Sequence, residues 1–345
     1  GRDGGWVVGR RENHERYGRP STSSGRMQTI THNKPTGLAA MARDGSTLVK
    51  ARLSLLVLAT TLVGYLLADP NDLDGRRLTW TLVGTFLAAA SASALNQAIE
   101  RHHDARMRRT ADRPVAAGRL SRPLAVVIGF VLGYTGCAVL AMQANLLSAG
   151  LAALTIVLYA AAYTPLKRLT TFNTVVGAVV GAVPPLIGWA AAADTLQRGA
   201  WVLAALLFTW QLPHFFALAW LHREDYERGG FRMLPSAPGG ELLAAQTGLL
   251  ASLLLVPIGL MATLLGLAGI GSAIATTAAG LGLSWFALRH LQRCDAASAR
   301  NLFLASLAYL PLVLVAMSAD RGPITGVAGT RGGRVVVQEV PAERP

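Results

Sequence analysis

Cysteine is almost missing: the 345 residues hold two, Cys137 inside an apolar run and Cys294 in a basic loop. That shortage excludes a disulfide scaffold and a cysteine metal framework, and it leaves the chain no redox couple of its own. Charge is also scarce, since Asp, Glu, Lys and Arg make up 15% of the residues against about a quarter in soluble domains. The deficit is mostly acidic, with 19 Asp and Glu facing 32 Lys and Arg, for a net charge of +13. A basic chain raises the question of nucleic acid. Here the basic residues lie in loops between apolar segments, and the basic domain interleaved with aromatics that nucleic-acid modules carry is lacking. No nucleic-acid partner is expected.

Apolar residues fill the space that charge leaves, at 52% of the chain. From Leu48 onward they come in runs of about 20 residues, the length that crosses a bilayer core as a helix. Nine spans are expected, at 48–68, 78–98, 123–142, 146–163, 173–193, 200–221, 242–265, 268–290 and 300–319. The reading is an all-α polytopic membrane protein whose helices surround a central cavity, with two tight hairpins at the shortest links. Residues 1–46 and 321–345 show no sustained apolar period and are expected to be disordered, leaving 47–320 as the transmembrane domain. Met41 is a plausible start within the first of these segments.

Alternate loops differ in sign. Those after the even-numbered spans carry Arg101 to Arg122, Lys167 and Arg168, then Arg223, Arg228 and Arg232, then Arg293 and Arg300. The other loops hold Arg76, Arg77 and Arg198 offset by Asp69, Asp72, Asp74 and Asp194. The positive-inside bias puts the basic set and the N-terminus in the cytoplasm and the C-terminus outside, as in a multi-pass protein of a bacterial plasma (inner) membrane.

The densest chemistry follows the second span, in NQAIERHHDARMRRTADRPVAAGRLS from Asn96 to Ser121. Asn96, Glu100 and Asp104 are spaced by four, so they share one face of a helix end. An amide and two carboxylates are hard oxygen donors, suited to Mg²⁺ shared with a phosphorylated substrate. Arg109 and Arg113 behind them can hold the remaining phosphate charge by forked contacts. Arginines alone would signal only topology; carboxylates in register need a further reason. On the same membrane side lie Tyr163, Lys167, Arg168 and Asn173, and Gly177, Gly181, Pro184, Pro185 and Gly188 then predict a kinked, closely packed helix. Tyr163 and Lys167 can both address one anion, or be a belt aromatic and a topology charge. Gln211 and His214 share a face inside the membrane, where polar groups are costly and usually functional; a substrate role is the favoured reading of His214, and a helix-to-helix hydrogen bond is the other. Asp225 and Tyr226 follow in the next loop; Asp225 is a further acidic candidate for the site, though by itself, beside Glu224 and Glu227, it would be an ordinary solvated charge.

These motifs carry a resemblance. Across residues 48–318 the chain resembles the intramembrane aromatic prenyltransferase superfamily, and within it the haem-modifying branch. The superfamily's Asn-x-x-x-Asp/Glu-x-x-x-Asp element falls on Asn96, Glu100 and Asp104, and its Met-x-Arg-Thr on Met107, Arg109 and Thr110. The Tyr-x-x-x-Lys element falls on Tyr163 and Lys167, and the Pro-His-Phe to Asp-Tyr element on Pro213, His214, Phe215, Asp225 and Tyr226. Many members carry a second aspartate pair four apart, but Gly229 stands four after Asp225. Ala51 stands between Lys50 and Arg52 where proline is frequent. The resemblance implies transfer of a farnesyl group from farnesyl diphosphate to the 2-vinyl group of haem B with addition of water, using Mg²⁺. Asn96, Glu100, Asp104, Tyr163, Lys167 and Asp225 would be catalytic, with Asn96, Glu100, Asp104 and Asp225 as the metal ligands. Arg109, Arg113, Arg168, Asn173, Gln211, His214 and Tyr226 would bind substrate, with His102 and His103 as lesser haem candidates. Haem A synthase, a terminal oxidase and membrane lipid are candidate partners. A hydroxybenzoate or naphthoate prenyltransferase is the nearest alternative; a transporter or a haem-binding scaffold is one of another class.

Overall fold

The computed structural model describes residues 37–68 and 73–321. Among them every regular element is helical, and nine helical segments are long and apolar enough to cross a membrane. In chain order these are α2 (Ala51–Ala68), α3 (Gly75–Asp104), α4 (Arg122–Gln143), the continuous segment 146–169, the segment 173–193, α9 (Arg198–Leu221), α11 (Gly240–Leu264), α12 (Ile270–Arg293) and α13 (Ala296–Ala319). The segment 146–169 is α5 (Leu146–Val157), a π-helical turn at Leu158–Tyr163 and α6 (Thr164–Leu169), and the segment 173–193 is α7 (Asn173–Gly181) followed by α8 (Val183–Ala193). Short helices α1 (Leu38–Leu48) and α10 (Arg223–Arg228) lie beside the spans.

Polar caps set the ends of the spans more sharply than hydropathy does. Asp74 accepts from the Arg77 backbone N–H and starts α3 three residues before the apolar run. Ser121 and Asn145 cap α4 and α5 in the same way, and Asp295 with Ser298 forms a reciprocal cap on α13, each satisfying N–H groups a helix start leaves open. The expected break in the fifth span is present at Ala182, between α7 and α8. Ahead of it, the π turn at Leu158–Tyr163 was not visible in composition.

Residues 38–46, expected without order, form most of α1. Two contacts hold that helix. Arg119 makes a forked ion pair with Asp44, at 2.9 Å through each of Nε and Nη2, and Gln97 Nε2 donates 3.0 Å bonds to the carbonyls of Thr47 and Leu48. The stretches 1–36 and 322–345, and Asp69 and Asp72 of the first outer loop, lie outside the described residues.

Helices α7, α8 and α9 form the buried middle of the bundle, while α4 and α5 expose most of their apolar side chains outward. Van der Waals packing of small residues draws the central helices together where the lipid offers no hydrophobic drive. At the α2–α8 crossing a Cβ on Gly64 would strike the carbonyl of Pro185, and one on Gly188 the carbonyl of Thr61. Only glycine allows that approach. The crossing lies just after the α7–α8 break.

Candidate functional site

The C-terminal end of α3 carries the site. Asn96, Glu100 and Asp104 are 0%, 3% and 1% exposed, so their polar atoms are cut off from bulk water. Asn96 and Glu100 meet partners from distant parts of the chain, and Asp104 meets Arg113 nine residues on. Lys50 Nζ donates to Asn96 Oδ1 at 3.0 Å and to the Tyr159 hydroxyl at 3.2 Å. Asn96 Nδ2 donates to Thr164 Oγ1 at 3.2 Å. Lys167 Nζ lies 2.9 Å from Glu100 Oε1, at an angle that gives this buried oxygen no hydrogen bond. Arg113 Nη1 lies 2.9 and 2.8 Å from the two oxygens of Asp104. The result is three cations against two carboxylates inside a shielded pocket. An uncompensated buried cation is costly, so the cluster has an electrostatic appetite for an anion.

Backbone geometry presents these groups. Lys50 sits between α1 and α2 with φ of +48°, a left-handed conformation that costs a non-glycine residue about 1–2 kcal/mol. Burial pushes its ammonium below the ordinary lysine value, and Arg113 and Lys167 add repulsion against the help of Tyr159 and Glu100. The π turn carries both Tyr159 and Tyr163, whose rings lie 5.2 Å apart, and Lys167 Nζ sits 4.5 Å above the Tyr163 ring. Such bulges cluster at functional sites.

Next to these tyrosines an apolar cavity of about 220 Å³ opens among α2, α3, α5, α7, α8 and α9. Tyr159, Tyr163, Gly177, Gly181, Gln211 and Phe215 line it. Gln211 Nε2 donates to the carbonyls of Ala178 and Leu207, at 3.2 and 3.0 Å, and its amide fills the space left by Gly181. A strip of cations thus borders one end of an oily slot, which suits an amphiphile with an anionic head and a hydrocarbon tail.

The loop after α9 closes over this end. Asp225 accepts from the backbone N–H groups of Arg108 and Arg109 at 3.1 and 3.2 Å, and from the Arg228 guanidinium. Burial alone would raise its pKa, but those donors outweigh burial and hold it below the ordinary aspartate value. Asn173 Nδ2 donates to the Arg232 carbonyl at 2.8 Å, and the Arg232 N–H donates to the Lys167 carbonyl at 2.7 Å. His103 Nδ1 lies 2.6 Å from the Gly229 carbonyl, and Arg168 Nη1 lies 3.5 Å from its Nε2. Arg109 reaches the Tyr226 hydroxyl at 3.5 Å.

The structure therefore brings together Asn96, Glu100, Asp104, Arg113, Tyr163 and Lys167, with Gln211 in the cavity wall. Asp225, a candidate metal ligand, has both oxygens hydrogen-bonded to the loop after α3, as Asp104 has to Arg113. One expectation changes. His214, a candidate substrate contact, stacks between Trp210 and Phe303 at 5.1 and 4.9 Å and lies 2.9 Å from Ser306 Oγ. It joins α9 to α13, away from the cavity wall. Lys50 and Tyr159 were missed. Tyr159 stands four before Tyr163 and eight before Lys167, a helical spacing that was there to find; Lys50 reads in sequence as a charge at a membrane border.

No group of three or more His, Cys, Asp or Glu close enough to hold a metal occurs among the described residues. That is compatible with Mg²⁺, which is bound through one or two carboxylates plus substrate phosphates and water. The unbonded Glu100 oxygen, the Asn96 amide and Asp104 form such a partial donor set.

Comparison with known proteins points to one family. Residues 57–308 match the profile of the UbiA prenyltransferase family. A protoheme IX farnesyltransferase of Solibacter usitatus is 39% identical over 288 residues, covering 81% of this chain and 99% of that protein. The mitochondrial protoheme IX farnesyltransferase of Arabidopsis thaliana is 42% identical over 276 residues, 79% of this chain and 64% of that one, and the human mitochondrial protein is 39% identical over 279 residues. Among solved structures, a digeranylgeranylglyceryl phosphate synthase superposes with a TM-score of 0.69 at 14% identity, covering 81% of this chain and 98% of that one. A UbiA homolog from Archaeoglobus fulgidus bound to GPP and Mg²⁺ gives 0.59 at 16%, covering 80% and 99%.

Proposed function

The chain belongs to the UbiA prenyltransferase family, and from that premise we propose that it transfers a farnesyl group from farnesyl diphosphate to the 2-vinyl group of haem B. The observation that carries the reading is the buried group of Lys50, Lys167 and Arg113, set against Asn96, Glu100 and Asp104 at one end of an apolar cavity. The relatives named protoheme IX farnesyltransferase support haem B as the acceptor.

Bound Mg²⁺, held by Asn96, Glu100 and Asp104 together with the substrate's own oxygens, would supply Lewis-acid charge to the diphosphate. Lys50, Lys167 and Arg113 bind the rest of its charge and stabilise it as the allylic C–O bond breaks and diphosphate leaves with the electron pair. The farnesyl cation forms inside the apolar cavity, where water is kept from it, with the faces of Tyr159 and Tyr163 able to meet positive charge. Electrons of the haem vinyl group form the new C–C bond. Water adds to the cation left on the former vinyl carbon and loses a proton, giving haem O. The chain need supply no nucleophile.

The Asp225 clamp and the Asn173–Arg232–Lys167 contacts position the loop that covers the diphosphate end. Residues 47–320 form the working unit, set in a bacterial plasma membrane with the diphosphate end toward the cytoplasm, as the loop charges indicate. Candidate partners in that membrane are the haem A synthase and terminal oxidase that would use the product.

A choice of acceptor tests the reading. Purified protein in nanodiscs receives farnesyl diphosphate and Mg²⁺ with haem B, a hydroxybenzoate and a naphthoate together, and the products are identified by mass spectrometry. A hydroxyethylfarnesyl haem is expected. Prenylation of either ring acid with haem B unchanged would overturn the haem assignment.

A further inference from the structure

The wall that α3 contributes to the cavity consists of Thr85, Ala88, Ala89, Ala92 and Ser93. Their spacing by three and four puts them on one helix face, and their size keeps a channel open along it. The face begins one turn from Asn96 and runs toward the outer end of α3. Thr85 ends it. That residue is 2% exposed, and its hydroxyl lies in the cavity wall with no hydrogen-bond partner. Ile187 of α8 lines the cavity as well and belongs to a packed cluster with Leu140, Ala149, Ala152 and Val183. Behind Thr85, a Cβ on Gly84 would meet the Leu140 side chain at 2.7 Å. Leu140, Ala149 and Ala152 of that cluster are themselves buried.

We propose that Thr85 and Ile187 set the length of the prenyl chain, as the floor of a cavity whose head end is Asn96. Eleven residues of α3 separate Asn96 from Thr85, which at the helix rise is about 16 Å, the extended length of roughly three isoprene units and short of four. A hydrocarbon tail fills the slot until it meets Thr85 and Ile187. Longer tails must fold or withdraw the diphosphate from Lys50 and Lys167. This assignment rests on the prenyltransferase reading above.

The test uses the full chain in nanodiscs with Mg²⁺ and the non-ionisable thiolodiphosphates of geranyl, farnesyl and geranylgeranyl, whose affinities are measured by calorimetry. Product distributions with haem B and the three natural diphosphates are measured alongside. Wild type should favour the farnesyl chain. Thr85→Phe should raise the geranyl-to-farnesyl affinity ratio at least tenfold, and Ile187→Ala should raise the geranylgeranyl-to-farnesyl ratio at least fivefold. The second variant removes volume, so it decides the matter if Thr85→Phe fails to fold. Unchanged ratios in folded variants, or equal affinity of wild type for all three chains, would overturn the floor. Loss of haem product with the length order intact would sink the acceptor assignment and leave the floor standing.

Discussion

Lys50 shows how the fold can bring an unmarked residue to a candidate site. It is 46 positions from Asn96, and only its left-handed backbone and the anchoring of α1 bring the two together. Nothing in the local sequence marks it, because a lysine bordering an apolar run is the ordinary topology signal. Asn96, Glu100 and Asp104 were legible for the opposite reason: helical spacing puts them on one face whatever the tertiary structure. His214 misled because a histidine in the membrane suggests substrate, whereas its partners are the rings of Trp210 and Phe303. Lys50→Met should raise KM for the prenyl diphosphate at least tenfold, about 1.4 kcal/mol of lost binding. The KM for haem B should stay within a factor of two. Steady-state kinetics with each substrate varied in turn checks the split, and an unchanged diphosphate KM would remove Lys50 from the site.

At the scale of elements, nine spans and the break in the fifth were legible from the length of apolar runs and from Pro184 and Pro185. The π turn was not, since no residue type requires it; it shows only when Tyr159 and Tyr163 must both border the cavity while Thr164 bonds Asn96. Deleting Ala161 removes the extra residue of the bulge and should let the segment relax to an α-helix, turning Tyr159 away from Lys50 relative to Lys167. Turnover should then fall at least a hundredfold while the protein still inserts and melts as a single species. Wild-type turnover in the deletion would show that the bulge has no role. The α2–α8 crossing makes a stability prediction. Gly188→Val places a branched side chain against the Thr61 carbonyl and should cost several kcal/mol, read as a drop of many degrees in melting temperature in detergent.

Across the whole molecule, the loops on the basic side are tied down by ion pairs with a defined pH range. Asp44 is held below the ordinary aspartate value chiefly by its hydrogen bond from Arg119, and Asp225 is held low by Arg228 and two backbone N–H groups against its burial. A carboxylate with a depressed pKa in the folded state adds stability above its unfolded value of about 3.9 and loses it as the pH falls through the folded value. Thermal stability should therefore be flat, as far as these groups decide it, from about pH 5 to 7 and should fall below about pH 4. In Asp225→Asn that acid limb should be shallower; an identical acid limb would show that Asp225 does not clamp the loop. The molecule's architecture was legible as a membrane bundle with one polar side, while the depth of its cavity depends on which small residues of α3 face Ile187 across the bundle.

If the oxygens on α3 hold the metal and diphosphate at which the allylic bond ionises, turnover needs both Mg²⁺ and Asp104. Turnover of farnesyl diphosphate with haem B is followed in wild type and Asp104→Ala with and without EDTA. Wild-type turnover should vanish with EDTA and return with Mg²⁺, and Asp104→Ala should be at least a hundredfold slower, about 2.7 kcal/mol at the transition state, while binding haem B as tightly as wild type. Wild-type rates from a folded Asp104→Ala protein, or rates indifferent to EDTA, would contradict the account.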